Sequence, residues 1–516
     1  MSEVDLIKTG IKGLDDILMG GIPRTNVILA QGVTGSGKTL MGLEFIYRGI
    51  VEYNEPGLVV VFETSPDKLV RDAAGFGWKL NELQQQKKLQ IIFTSPQVLD
   101  QELRSPDSLL LETANKMSAQ RIFVDGIGLL GPAPGGSDSA RGGYRELLQQ
   151  LMEALNRENL TAMLSLEVGR ATTSIAAVEM TDFLADTVIE LGRERHGRHM
   201  QRSLEIVKSR GQDYEAGEHT LRITGGRGLE VFRRVQAPLR ANAKNQPTSS
   251  TMRSIIGVEA VDTLIGGGIF DGSTTMVVGV SGVGKTVLAT QILREGAMKQ
   301  KKRGLLISLD EHPAQIVRNA QTLGLNLDAQ VADGTIQILF ESPQELNVDA
   351  HYARIVQIIE EHEIQRMVID GMTSYSTAIG EVSVYRDFFH AIVAYSKQRL
   401  MTTFFNYENP EFLGISSYMP DFPVSSIVDN LILMSLVEIN NSLHRCISVV
   451  KSRGSKHSFD TREFVIGPGG ISLVPLTKNL VPTTPLQGYS SLLSRAPTRV
   501  TSTKRVNGAA AGQGKE

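Results

Sequence analysis

A single cysteine, a single tryptophan and no long apolar run mark what this 516-residue sequence lacks. Cys446 alone cannot close an internal disulfide or build a multi-cysteine zinc site, which excludes disulfide-stapled secreted folds and fits a reducing cytosol. Its position in an apolar run reads as strand core. No stretch approaches the roughly 18 apolar residues that span a bilayer. The amino terminus, MSEVDLIKTGIKGLDD, lacks the basic-then-apolar order of a secretion signal. A soluble, cytoplasmic protein without a membrane partner is expected. Charge of one sign is missing too: Lys and Arg number 53 against 56 Asp and Glu, for a net charge of −3. No global field draws the chain to nucleic acid, and no basic stretch is interleaved with aromatics, so no nucleic-acid partner is expected.

What is abundant is glycine, 50 residues of it, and the sequence repeats itself. Gly10 to Thr39 reads GIKGLDDILMGGIPRTNVILAQGVTGSGKT, and Gly257 to Thr286 reads GVEAVDTLIGGGIFDGSTTMVVGVSGVGKT, an ungapped offset of 257 − 10 = 247. RIFVDG at Arg121 is answered by RMVIDG at Arg366, and KSRG occurs at Lys208 and at Lys451. Such spacing predicts two complete domains, 1–235 and 255–475, joined by a polar, proline-containing linker at 236–254. Beyond about Pro475 the Ser, Thr, Pro and Gly content predicts a disordered tail over 476–516. Short β-branched runs at Val27 to Ala30, Leu58 to Phe62, Ile91 to Thr94 and Ile122 to Val124 alternate with amphipathic stretches. That alternation predicts an α/β fold: in each domain, a mostly parallel sheet flanked by helices.

Gly32 to Thr39 and Gly279 to Thr286 both satisfy GxxxxGK[ST], between a predicted strand and a predicted helix. The glycines let backbone amides wrap a phosphate chain, the lysine reaches the terminal phosphates and the hydroxyl ligates magnesium. Gly35, Ser36, Gly37, Lys38 and Thr39, with Gly282, Val283, Gly284, Lys285 and Thr286, are therefore the expected ATP contacts. Thr39 with Asp125, and Thr286 with Asp370, are the expected magnesium ligands, each aspartate ending an apolar strand. The acids after the second strand, Glu63 in one copy and Asp310 with Glu311 in the other, are candidates to orient or deprotonate a nucleophile. Thr64 stands where the second copy has Glu311. Lys208 and Arg210, like Lys451 and Arg453, alternate on a strand. Such cations complete a neighbour's γ-phosphate site in ring ATPases, so an oligomer is expected.

Taken together, the duplicated lead-in and phosphate loops, the post-strand acids, both KSRG strands and the stretch FFNYENPEFLGISSYMPDFPVSSIVDNLILM resemble the KaiC-like family of circadian-clock ATPases and autokinases over roughly residues 5 to 475. The resemblance implies tandem RecA-like domains and a two-tiered homohexameric ring with Mg-ATP between subunits. It further implies slow hydrolysis in the first tier, with Glu63 positioning water. Asp310 would act as general base in the second, with Glu311 beside it. Ser425 and Ser426 match the family's phosphoacceptor pair, and a KaiB-like partner is implied. Asp310 stands in place of the usual Glu, Ser426 in place of a threonine acceptor, and Pro420 in place of a further acceptor. The tail does not resemble the segment that binds a KaiA-like activator, so none is expected. Two other functions use the same core: a RecA- or helicase-type DNA-dependent ATPase, and an ATP-dependent signalling scaffold without kinase activity.

Overall fold

The computed structural model describes residues 5–105, 108–131, 138–169, 184–196, 199–236, 250–408, 427–439 and 442–474. The expected tail and most of the expected linker, 237–249, lie outside the described residues. Compact units form from Met1–Val235 with Val348–Ala353 and from Gln236–Asn347 with Arg354–Glu516. Arg253 and Ser254, which the sequence places in the linker, form a strand of the second unit instead.

The first unit begins with a two-stranded ribbon of β1 (Leu6–Ile7) and β2 (Ile22–Pro23). There follow β3 (Val27–Gly32), β4 (Gly57–Val61), β5 (Leu89–Phe93), β6 (Arg121–Asp125), β7 (Thr161–Glu167), β8 (Thr187–His196), β9 (His199–Ser209), β10 (Glu218–Thr224) and β11 (Gly228–Phe232). These nine form one sheet in the order β11-β10-β9-β8-β3-β7-β6-β4-β5. The strands from β8 to β5 in that order are parallel, and β9, β10 and β11 extend the edge antiparallel.

The second unit repeats this plan. Its ribbon is β12 (Arg253–Ser254) with β13 (Ile269–Phe270). Its sheet contains β14 (Thr274–Gly279), β15 (Gly304–Ser308), β16 (Ile336–Phe340), β17 (Arg366–Asp370), β18 (Thr402–Glu408), β19 (Asn430–Ile439), β20 (Ser442–Ser452), β21 (Arg462–Gly467) and β22 (Gly470–Leu473). The order, β16-β15-β17-β18-β14-β19-β20-β21-β22, is that of the first sheet. Both sheets are mostly parallel, as the strand and helix alternation predicts, and the two units are the tandem RecA-like domains that the resemblance implies.

Why the parallel strands read as unbroken apolar runs is visible in their packing. Alternate residues of β3, Ile28 and Ala30 against Val27 and Leu29, enter separate cores on the two faces of the sheet. Helices cover both faces, so neither residue parity meets water. The helices Lys38–Tyr53 and Lys285–Gln300 start directly at the two phosphate loops. Their buried faces tie loop to sheet, and each ends on a left-handed residue, Asn54 or Lys301.

One buried position separates the repeats. Glu44, fully buried on the first of these helices, accepts the Leu229 N–H at 2.7 Å and the Arg48 Nε at 3.3 Å. A side chain at Gly228 would place its Cβ 2.4 Å from Glu44, so only glycine admits this approach. At the equivalent place Gln291 accepts the Ile471 N–H at 2.8 Å with a neutral amide. Burial pushes the Glu44 carboxyl up from 4.5 to about 7, against the opposing pull of the Leu229 N–H and Arg48, while Glu52 pushes it further up.

A raised folded-state pKa means stability that is complete below about pH 4.5 and lost as pH rises through about 7. Glu44→Gln is therefore expected to stabilise the first unit at pH 8 by about 2 to 3 kcal/mol and to be nearly neutral near pH 4.5. Urea midpoints across that range check it; parallel curves for the two proteins would contradict it.

Candidate functional site

Each phosphate loop leaves the carboxyl end of the central strand, β3 or β14, and enters its helix at a glycine of positive φ, 116° at both Gly37 and Gly284. Lys38 folds back to donate to the carbonyls of Gly32 and Val33, both at 2.9 Å. Lys285 does the same with Gly279 and Val280, again at 2.9 Å. Burial pushes both amines down in pKa; Glu167 and then Asp125 oppose this for Lys38, and Glu408 and then Asp370 for Lys285. The amine thus sits in the bowl of its own loop, positioned to meet an anion. Ser36 and Val283 are buried beneath their loops, with their N–H groups on Val33 and Val280.

Thr39 Oγ1 donates to Asp125 at 3.0 and 3.1 Å, and Asp125 also accepts from Ser165 Oγ at 2.6 Å. In the second unit Thr286 bonds Asp370, which accepts from Asn406 Nδ2 at 2.9 Å. Burial pushes both aspartates up in pKa, and these hydrogen bonds and the loop lysine pull back down. A hydroxyl and a carboxylate oxygen are hard donors, and magnesium takes its remaining ligands from phosphate and water. One hydroxyl and one carboxylate at each site fit that ion.

Adjacent parallel pairing brings the acids to the same edge. Val61 pairs with Asp125 and Ser308 with Asp370, so Glu63 and Asp310, two residues beyond those partners, stand on the same edge as these aspartates. In the second unit a cavity of about 540 Å3 is lined by Lys285, Thr286, Asp310, Glu311, Asp370 and Ser374 among others. Asp310 accepts a hydrogen bond from Ser374 Oγ at 2.5 Å. Glu311 is half-buried, its carboxyl pushed up by burial, Asp370 and Asp310 and pulled down by the Asn319 amide. Glu63 is exposed.

The four predicted cations are not brought to these loops. Arg210 lies 3.7 Å from Asp186, whose carboxylate also accepts the N–H of Val27 at the start of β3. Arg453 lies 3.8 Å from Asp429, which holds Thr274 at the start of β14 in the same way. Lys208 and Lys451 pair with Val188 and Leu431 near that end, and Lys451 donates to the Val428 carbonyl at 2.7 Å. A strand of this length puts them roughly 17 Å from the loop of their own unit. They cannot complete that loop's site.

Sequence reasoning missed Ser165, Asn406, Glu167 and Glu408, all on the strand between the loop strand and the magnesium-aspartate strand. Glu167 pairs with Gly32 and accepts from the Thr34 hydroxyl; Glu408 pairs with Gly279 and lines the second cavity. The one signal for them was a polar residue closing an apolar run. Ser425 and Ser426 lie outside the described residues. No helix among the described residues is long and apolar enough to cross a membrane.

A family model described as the KaiC ATPase matches residues 7–236 and 255–478. The chain is 31% identical over 509 residues to the circadian clock oscillator protein KaiC of Parasynechococcus marenigrum, covering 98% of this chain and 95% of that one. The protein of the same name from Synechococcus elongatus is 31% identical, covering 96% and 92%. That of Prochlorococcus marinus is 31% identical with 98% of each chain covered.

Proposed function

Because the chain belongs to the KaiC family of ATPases, we propose that it is a Mg-ATP-dependent ring protein whose first unit hydrolyses ATP and whose second unit also phosphorylates serine. The observation that carries this reading is the convergence of Lys285, Thr286, Asp370, Asp310 and Glu311 on one cavity. Those are the parts phosphoryl transfer needs: a cation for the terminal phosphates, ligands for magnesium, and a carboxylate to take a hydroxyl proton. Magnesium would be held by Thr286 and Asp370 in this unit and by Thr39 and Asp125 in the first, neutralising charge on the phosphates. The first unit offers Glu63 without a second post-strand acid, which suits orientation of water.

The ring reading is supported by the position of Lys208, Arg210, Lys451 and Arg453 at the end of the sheet opposite their own loop. A head-to-tail neighbour places such cations on an adjacent loop, and a heterologous contact of that kind closes into a ring. Hexameric assembly, a KaiB-like partner and a timing role follow the relatives' names and form part of the same proposal.

The test is to incubate the purified full-length protein with Mg-ATP, size it by light scattering and map phosphopeptides. The expected result is an ATP-dependent oligomer with phosphate on Ser425 or Ser426, removed in the S425A/S426A double variant. An ATP-dependent oligomer that turns over ATP yet carries no phosphate on serine would overturn the kinase reading and return the scaffold. Turnover that depends sharply on single-stranded DNA would favour the DNA-dependent motor.

A further inference from the structure

We propose that Ser374 is itself a phosphoacceptor, modified by the ATP site of its own second unit; this rests on the kinase reading above. Three observations carry it. Ser374 Oγ donates to Asp310 Oδ1 at 2.5 Å, so the candidate base already holds a serine hydroxyl where a nucleophile's proton must go. Ser374 lines the same cavity as Lys285, which would grip the terminal phosphate, and Thr286, which would hold its magnesium. And the hydroxyl is peculiar to this unit: Gly371 follows Asp370 as Gly126 follows Asp125, which sets Ser374 opposite Leu129 of the first repeat. The hydroxyl accompanies Asp310, and the equivalent position of the first repeat carries an apolar leucine.

Local geometry keeps the pair together. Gly371 has φ 93°, and a Cβ there would fall 2.3 Å from Asp310 Oδ2, so glycine is what lets Asp310 lie against the start of the helix Met372–Ile379. Ser374 is in the first turn of that helix and half-buried, held in place while its hydroxyl faces the carboxylate. In the step itself Ser374 Oγ attacks the γ-phosphorus of ATP. The Oγ–P bond forms as the bond from phosphorus to the β,γ-bridging oxygen breaks, ADP leaves with that electron pair, and the hydroxyl proton passes to Asp310 Oδ1. The products are phosphoserine 374 and ADP. A dianionic phosphate beside Asp310, Glu311 and Asp370 would oppose a second ATP in the same cavity, so the modification would slow turnover of the second site.

The full-length protein is incubated with Mg-ATP and site-localised phosphopeptide mapping is done on four forms: the natural chain, S374A, S425A/S426A, and S374A/S425A/S426A. Phosphate on Ser374 in the natural chain and in S425A/S426A, absent from S374A, is the expected result. Chains phosphorylated at Ser374 are expected to hydrolyse ATP several-fold more slowly at the second site than the same chains before phosphorylation, in a K38A background that silences the first. Phosphate on Ser425 or Ser426 with none on Ser374 would overturn this inference and leave the kinase reading standing. Phosphate on no serine, with ATP still turned over, would overturn both. Ser374 phosphorylated in trans, shown by labelling of a K285A subunit mixed with the natural chain, would overturn the intramolecular route.

Discussion

Lys285→Ala is expected to lower phosphoryl transfer and hydrolysis at the second site by a hundredfold or more while leaving the fold intact. The Lys285 amine is held by two loop carbonyls and largely removed from water, at a cost that burial imposes on any ammonium. That cost is offset only when the ammonium meets a polyanion. Removing it deletes the charge that a terminal phosphate would meet in the transition state, where one such donor is worth about 3 to 4 kcal/mol. Loss of an unfavourably buried charge gives no comparable loss of stability, so the thermal transition should move little. Lys38→Ala is expected to do the same to the first site. Because each unit carries its own loop and its own acids, each single variant should retain the other unit's activity, and only the double variant should be inert. Turnover of both single variants and of the double variant, alongside melting curves, checks this. A single variant that silences all ATP turnover would contradict independent sites.

Arg121→Met is expected to destabilise the first unit by about 3 kcal/mol, far more than Arg366→Met destabilises the second. Both arginines are essentially fully buried at the start of a central strand, at 0% and 1% exposure. Arg121 donates from Nε to Glu55 at 2.7 Å, from Nη1 to the Phe45 carbonyl at 2.9 Å and from Nη2 to the Lys8 carbonyl at 2.8 Å, and its guanidinium lies 4.6 Å from the centre of the Phe45 ring. Removing it strands the buried carboxylate of Glu55 with Arg24 alone, at 3.2 Å, to balance it. Arg366 instead donates to the Ile292 carbonyl at 2.8 Å and to the neutral Gln300 amide, and burial pushes its pKa down to about 10. Lys302 occupies the place of Glu55 in the second repeat, and its amine bonds Asp271 at 2.7 Å. A methionine at 366 breaks no direct carboxylate contact, since Asp271 and Asp262 act on Arg366 only through space and Asp271 keeps Lys302, and burying the arginine was already costly. Chemical unfolding of both variants is the measurement; equal losses would show that Glu55 does not matter.

Most of the fold could be read from residue order because the two repeats check each other. The predicted run Val27 to Ala30 is the core of β3, and Ile122 to Val124 the core of β6, each extended at its polar end, to Gly32 or Asp125. Those ends are hard to read because the catalytic edge of a parallel sheet is where apolar patterning must stop. That Thr39 would meet Asp125, and Thr286 Asp370, was legible, since strand and loop motifs constrain them tightly. Ser165, Asn406, Glu167 and Glu408 were not. What brings them to the site is lateral pairing with β3 or β14, between positions far apart in sequence.

By itself, then, the sequence determined that there are two RecA-like units, where their phosphate loops lie and which acids differ between them, because those features rest on local spacing and on an ungapped internal repeat. Only the tertiary structure decided that Lys208, Arg210, Lys451 and Arg453 stand at the end of the sheet away from their own loops, and that Ser374 meets Asp310. Both depend on which strand lies beside which and on the direction each runs. Strand neighbours are chosen by burial on two faces of a sheet, and that choice leaves no mark in the spacing of the residues concerned.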